Sequence, residues 1–264
     1  MSFSRIWGII LRQFYLLKHS FSRWIDLLYW STVELLLWGF ITIYLQRTGY
    51  YPGGSWVFQF LGALILWNIL VRAQQGVAVG FLEDVWARNL VYLFLSPLTL
   101  TEYLIGLFIF SLFKAFIATI CMCVLASVVF QFKFYLQTLP FFLLILGLII
   151  FAWSIGLLTM AFILYFGQEA EILAWALALI FLPFSAVFYP VNVLPPVVQK
   201  IAKFVPVSYI FENMRSVLLH STFSFKEILR SYLLNLLYFF VSLFIFLLSF
   251  RLAKKQGKLT KIGE

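Results

Sequence analysis

Charge is what this chain has least of. Asp, Glu, Lys and Arg make up 11% of its 264 residues, hydrophobic residues make up 64%, and the mean hydropathy is +1.01. A water-soluble domain carries about 25% charged and roughly 45–50% apolar residues, and a soluble fold of this length cannot hide so much apolar surface. Cysteine and histidine are equally scarce, two of each. Cys121 and Cys123 stand two apart in an apolar run, where a helix points them to different faces, so no bridge between them is expected. His19 and His220 form no His-Glu-x-x-His pattern and no carboxylates pair within an apolar run, so an intramembrane enzyme is not expected. A phosphate-cradling Gly-x-x-x-x-Gly-Lys-[Ser/Thr] loop is also lacking. Gly257-Lys258 is followed by Leu259, and Leu252 stands where the first glycine belongs. Short alternating strands are absent, which argues against a β-barrel. No small-residue cleavage site precedes the first long apolar run, so a cleaved signal peptide is not expected.

What is present is a series of long apolar runs. A spanning helix needs about 20 predominantly apolar residues in succession. Six segments qualify, near 27–45, 57–81, 103–130, 139–166, 172–189 (shorter, holding Pro183) and 232–250. The expected fold is an all-α polytopic membrane protein with six transmembrane helices in one transmembrane domain over 1–264. Arg5, Arg12, Lys18 and Arg23 precede the first span, and Arg251, Lys254, Lys255, Lys258 and Lys261 follow the last. The positive-inside rule then places both ends in the cytoplasm and the loops at 46–56, 131–138 and 190–231 outside. The formal charge of +9 sits at chain ends and segment borders, so anionic lipid headgroups, and no nucleic acid, are the expected partners. Within 1–26, Arg5, Arg12, His19 and Arg23 fall on one helical stripe opposite Phe3, Ile10, Phe14, Leu17 and Phe21, the pattern of a helix lying in the membrane interface; a helix packed on the bundle is the alternative.

Two connecting stretches carry more information. Between spans two and three, Leu82 to Thr99 predicts a short amphipathic helix near 82–96 on the cytoplasmic side. It is braced by an i, i+4 pair of Asp84 and Arg88, stopped by Ser96-Pro97 and followed by a helix opening at Thr101-Glu102. After span five, Pro183, Pro190, Pro195, Pro196 and Pro206 deny a continuous helix while the residues between them stay apolar. Broken helices at membrane depth must be buried in protein or line a cavity. Short re-entrant helices near 186–220 are therefore expected, with Pro183, Tyr189, Pro190, Pro195, Pro206, Glu212 and Arg215 forming an outer gate and Glu212 paired with Arg215. Charges inside the spans are costly. Glu34 and Arg72 either pair to brace their helices or line a pathway, and Lys114 can snorkel. Gly76-x-x-x-Gly80 allows close helix approach, within one subunit or at a dimer seam.

The basic N-terminal helix, Leu82–Thr99 followed by Glu102 and Gly106, and the segment from Ala186 through Arg215 together resemble the type-2 family of ATP-binding-cassette transporter permeases. The resemblance covers nearly the whole chain. It implies a homodimer of six-span subunits with a separate ATPase subunit that carries ATP and Mg, no cofactor bound by the chain itself, and export from a bacterial cell membrane. Glu83, Asp84, Trp86, Arg88 and Asn89 would lie in the coupling region that docks on the ATPase. An amphiphilic small molecule is the preferred cargo, with a lipid-linked glycan second. An ion-coupled secondary transporter or channel is the alternative, weakened because a broken segment occurs only in the second half.

Overall fold

The computed structural model describes residues 1–48, 55–132 and 139–257. Much of the expected loops at 46–56 and 131–138, and Lys258 and Lys261, lie outside these. Among the described residues every regular element is helical. Five helices are long and apolar enough to cross a membrane: α2 (Phe21–Arg47), α3 (Ser55–Trp86), α5 (Leu100–Phe130), α6 (Leu139–Phe166) and α10 (Phe225–Lys255). The shorter ones are α1 (Phe3–Lys18), α4 (Leu90–Leu95), α7 (Leu173–Phe181), α8 (Pro196–Ala202) and α9 (Pro206–His220). This is a multi-pass membrane protein.

The core is organised around α3, the most buried of the long helices, which packs against α2, α5, α6, α7 and α9. Its small residues allow this. A methyl added to Gly76 would lie 2.6 Å from Ser111 Cβ and 2.7 Å from Ser111 Cα of α5, and one on Gly80 would meet Leu107 at 3.2 Å. The Gly76/Gly80 stripe is thus spent on packing within the chain. Gly76→Ala is expected to overpack this contact by about 1–3 kcal/mol, seen as a lower melting temperature in detergent. Gly8→Ala, with nothing within 4 Å, should leave it unchanged or raise it.

The helix boundaries correct the sequence reading in three places. Residues 1–26 are not one helix: α1 stops at Lys18 and α2 already begins at Phe21. The helix expected near 82–96 is divided. Leu82–Trp86 finishes α3, whose C-terminus closes with Asn89 N–H donating to Asp84 O (2.9 Å) and Arg88 N–H to Val85 O (3.0 Å), Arg88 standing at φ 54°. That is a Schellman stop, built here on arginine rather than glycine, and α4 follows it. The next helix opens at Thr99, two residues before the expected Thr101, through a reciprocal capping box with Glu102.

The third correction concerns the fifth span, expected over 172–189. Its α-helix, α7, has nine residues followed by a three-residue 3-10 turn. Pro183 in that turn has no N–H and its ring blocks continuation. Nine residues rise about 14 Å, half of a ~30 Å hydrocarbon core. The chain nevertheless runs the length of α3: Glu171 meets Trp86 at one end, and Phe188 stacks on Phe60 (4.6 Å) and Trp38 (6.0 Å) toward the other. Pro196 and Pro206 each occupy the first turn of their helices, α8 and α9, where a missing N–H costs nothing. Helix α9 packs on α6 and α10, with Ile210 against Gly147 and Pro206 O accepting from Ser231 Oγ (2.8 Å).

Candidate functional site

The expected site residues fall into two groups at opposite ends of the bundle, with Glu34 and Arg72 between them. At the α4 end, acids from α3 and α5 meet the basic stripe of the N-terminal helices. Arg12 of α1 is ion-paired with Asp84, which is 1% exposed and also accepts from Tyr103 Oη (2.6 Å). Burial lowers the Arg12 pKa from its ordinary value. Arg23 pairs with Glu83 (2.9 Å). Glu102, buried, accepts from Ser2 N–H (2.7 Å) and Thr99 N–H (2.9 Å) and lies 3.6 Å from Arg5, whose guanidinium also donates to Pro97 O (2.6 Å). The three arginines of the basic stripe thus turn to protein carboxylates, while His19 stays exposed beside Tyr15. Beneath it Ile9 sits where a side chain on Gly106 would clash, 2.7 Å away. Helix α1 faces outward with Phe3, Trp7, Leu11 and Tyr15.

This arrangement overturns the Asp84–Arg88 brace. The i, i+4 geometry needs a helix that continues past Trp86, and the stop at Arg88 removes it while Asp84 turns to Arg12. Trp86 donates through Nε1 to Glu171 (3.1 Å) and stacks on Trp175 (6.3 Å), tying α3 to the start of α7. Asn89 leads into α4, which buries Leu90 and packs Phe94 on Tyr103 and Phe250. The same helix exposes Tyr92 (73%) and Leu95 (77%).

Within the membrane-depth part of α2 and α3, Arg72 does not close an ion pair with Glu34. It is buried, donating to Ser31 Oγ (3.1 Å), Gln75 Oε1 (3.0 Å) and the Asp26 carbonyl (3.2 Å). Ser31 in turn donates to Asn68 Oδ1 (3.1 Å), and the Asn68 side chain lies against Glu34. Two neutral side chains therefore link the charges, and the sequence reading missed both. Asn68, one turn before Arg72 in an apolar run, was the available signal.

At the other end, Arg215 of α9 donates to the Ala186 carbonyl (2.7 Å), the Val187 carbonyl (3.2 Å) and Glu212 (3.1 Å). The expected Glu212–Arg215 pair exists. Glu212 also accepts from Val191 N–H (2.7 Å), just after Pro190. Tyr189 Oη donates to Pro183 O (2.8 Å), and Gln199 Nε2 bonds the Asn192 and Leu194 carbonyls ahead of Pro195 (3.2 and 2.8 Å). The proline-broken segment is thus held as one knot by side chains taking up its freed backbone groups. No group of three or more candidate metal ligands occurs among the described residues.

The family model described as ABC-2 family transporter protein matches residues 40–248. The chain belongs to the ABC-2 family of transporters. It is a type-2 ATP-binding-cassette permease, the membrane component of such a system and not its catalytic one. ABC-2 permeases typically work with an ATPase subunit. The matched span contains the α4 segment, the Glu34-linked part of α3 and the whole knot, but not α1. No curated protein matches the sequence.

Proposed function

We propose that this ABC-2 permease is the membrane half of an ATP-driven exporter, acting as a homodimer in a bacterial plasma membrane. Both termini are cytoplasmic, and 171–188 makes the fifth of six crossings. A separate ATPase docks on the surface formed by Trp86, Arg88, Asn89 and α4, and α8 and α9 form a re-entrant hairpin that closes the pathway outward. The observation that carries this reading is the exposure of Tyr92 and Leu95 on a short helix whose base is clamped by ion pairs onto the buried carboxylates of Asp84 and Glu102. Apolar side chains presented beside a charged surface suit a protein partner. The clamp lets force on α4 pass into α3, α5 and α1 instead of bending a loop. The Arg72–Ser31–Asn68–Glu34 chain serves as a brace between α2 and α3.

Leu95→Asp combined with Tyr92→Ala is the direct test. The doubly substituted chain should fold and melt as the wild type does, yet lose co-purification with its ATPase and ATP-driven transport by at least ~10-fold, the scale of removing interface anchors. Unchanged partner retention and transport would sink the docking role. Transport by the chain alone in liposomes without ATP would favour the ion-coupled class instead.

A further inference from the structure

The charged clamp leaves hydrogen-bond donors over. Arg12 spends Nη2 on Asp84, and Arg23 spends Nε on Glu83. Among the described residues their remaining N–H groups meet no protein acceptor and reach the surface, the two side chains being 26% and 30% exposed. The two guanidiniums are close enough to repel one another. Both line a cavity of about 440 Å³ at the elbow where α1 gives way to α2, together with Tyr15, Leu16, His19 and Ser20. His19 stacks on Tyr15 (6.4 Å), and Ser20, at the N-cap of α2, makes no side-chain capping bond. No carboxylate is among the lining residues, so the polar side chains that face the cavity all offer donors.

We infer that this elbow binds the phosphate of an anionic phospholipid from the leaflet at the α4 end. A phosphate ester brings several acceptor oxygens and a negative charge, which suits two guanidiniums with unspent N–H groups and offsets their mutual repulsion. Depth selects the source. The first apolar run begins near Leu27, and Arg23 lies four residues before it, about 6 Å along the helix. That falls inside a headgroup layer roughly 5–8 Å thick on each side of the hydrocarbon. Exposed Tyr15, Tyr29 and Trp30 bracket the elbow, as aromatic side chains do at a membrane surface. The rest of the lining, Tyr15 and Leu16, is apolar and faces what a lipid carries next to its phosphate, the glycerol and the first acyl carbons. A soluble phosphate makes no use of it. The site stands whether or not an ATPase docks on α4.

The test is native mass spectrometry on the full chain, delipidated in detergent and titrated with phosphatidylglycerol or with phosphatidylcholine of the same acyl chains. One phosphatidylglycerol should be held at least ~10-fold more tightly than phosphatidylcholine, whose phosphate is screened by its own choline; a charge-assisted hydrogen bond is worth a decade or more. Arg23→Gln should remove that preference. His19→Ala with Ser20→Ala, which touches no ion pair, should weaken the first lipid about 5-fold at an unchanged melting temperature, which separates lost binding from lost folding. Lys254→Gln with Lys255→Gln, exposed cations at the end of α10, should leave it intact. Equal retention of the two lipids, a first lipid held as tightly in both elbow variants, or an equal loss from the lysine pair would mean diffuse attraction to a basic protein and overturn the site. Displacement of the lipid by millimolar inorganic phosphate would assign the elbow to a soluble anion, and its displacement by the ATPase subunit would assign it to a protein carboxylate; either result sinks the lipid.

Discussion

Asp84→Ala should be the most damaging single substitution at the α4 end. The carboxylate is buried between Arg12 and Tyr103, so truncation leaves a largely buried guanidinium without its counter-charge and a phenol without its acceptor. Breaking a buried pair from one side costs about 3–5 kcal/mol, far above the ~0–1 kcal/mol of an exposed one. For a chain of this size that corresponds to a fall of about 10 °C in melting temperature, measured by size-exclusion after heating in detergent. Tyr103→Phe removes only the hydrogen bond to a charged acceptor and should cost about 1.5–3 kcal/mol. Replacing both partners, Arg12→Met with Asp84→Leu, should recover most of the loss, because paired apolar side chains often match or exceed a buried ion pair. If Asp84→Ala melted within ~2 °C of wild type, or the double substitution melted no higher than Asp84→Ala, the clamp would be a surface contact.

The pair explains what was legible in the sequence and what was not. Composition alone dictates the membrane class, and five of the six long apolar runs are single helices, because a long apolar run has few other ways to satisfy its backbone in lipid. Local pattern failed wherever a partner sits far along the chain. Asp84 and Arg88 look like a helical brace, yet the helix ends between them, and the true partner lies on α1, held there by Ile9 closing over Gly106. Likewise Glu34 and Arg72 look like a direct pair, and Asn68 in its apolar run hinted at a polar neighbour, but nothing local placed Ser31 of α2 against Arg72. The basic stripe of α1 was visible, but not that three acids of α3 and α5 would face it. At the proline knot the opposite held. Pro183 to Pro206 announced a break, and only the length of α7 was misjudged, since the apolar residues continue past the helix end to Tyr189.

Arg215→Leu is expected to release the knot. One guanidinium gathers the Ala186 and Val187 carbonyls and the Glu212 carboxylate, and Ala186 itself stands at φ 52°, a left-handed conformation that costs a non-glycine residue roughly 1–2 kcal/mol. Those contacts hold the strained turn in place. A leucine supplies none of them, and it leaves Glu212 holding Val191 N–H alone. The loss is set by charge-assisted bonds of about 1.5–3 kcal/mol each. It should appear as opening of the segment rather than global unfolding, since α3, α5, α6 and α10 do not depend on it. Val187, now 1% exposed, is the reporter. With Val187→Cys in a chain lacking Cys121 and Cys123, a membrane-impermeant maleimide should react at least ~10-fold faster when Arg215 is leucine, while Asp84 and Gly76 variants leave the rate alone. Arg215→Lys should fall between, because an ammonium reaches one carbonyl as a point charge but cannot fork across two. An unchanged rate in Arg215→Leu would mean that the prolines alone hold the hairpin closed.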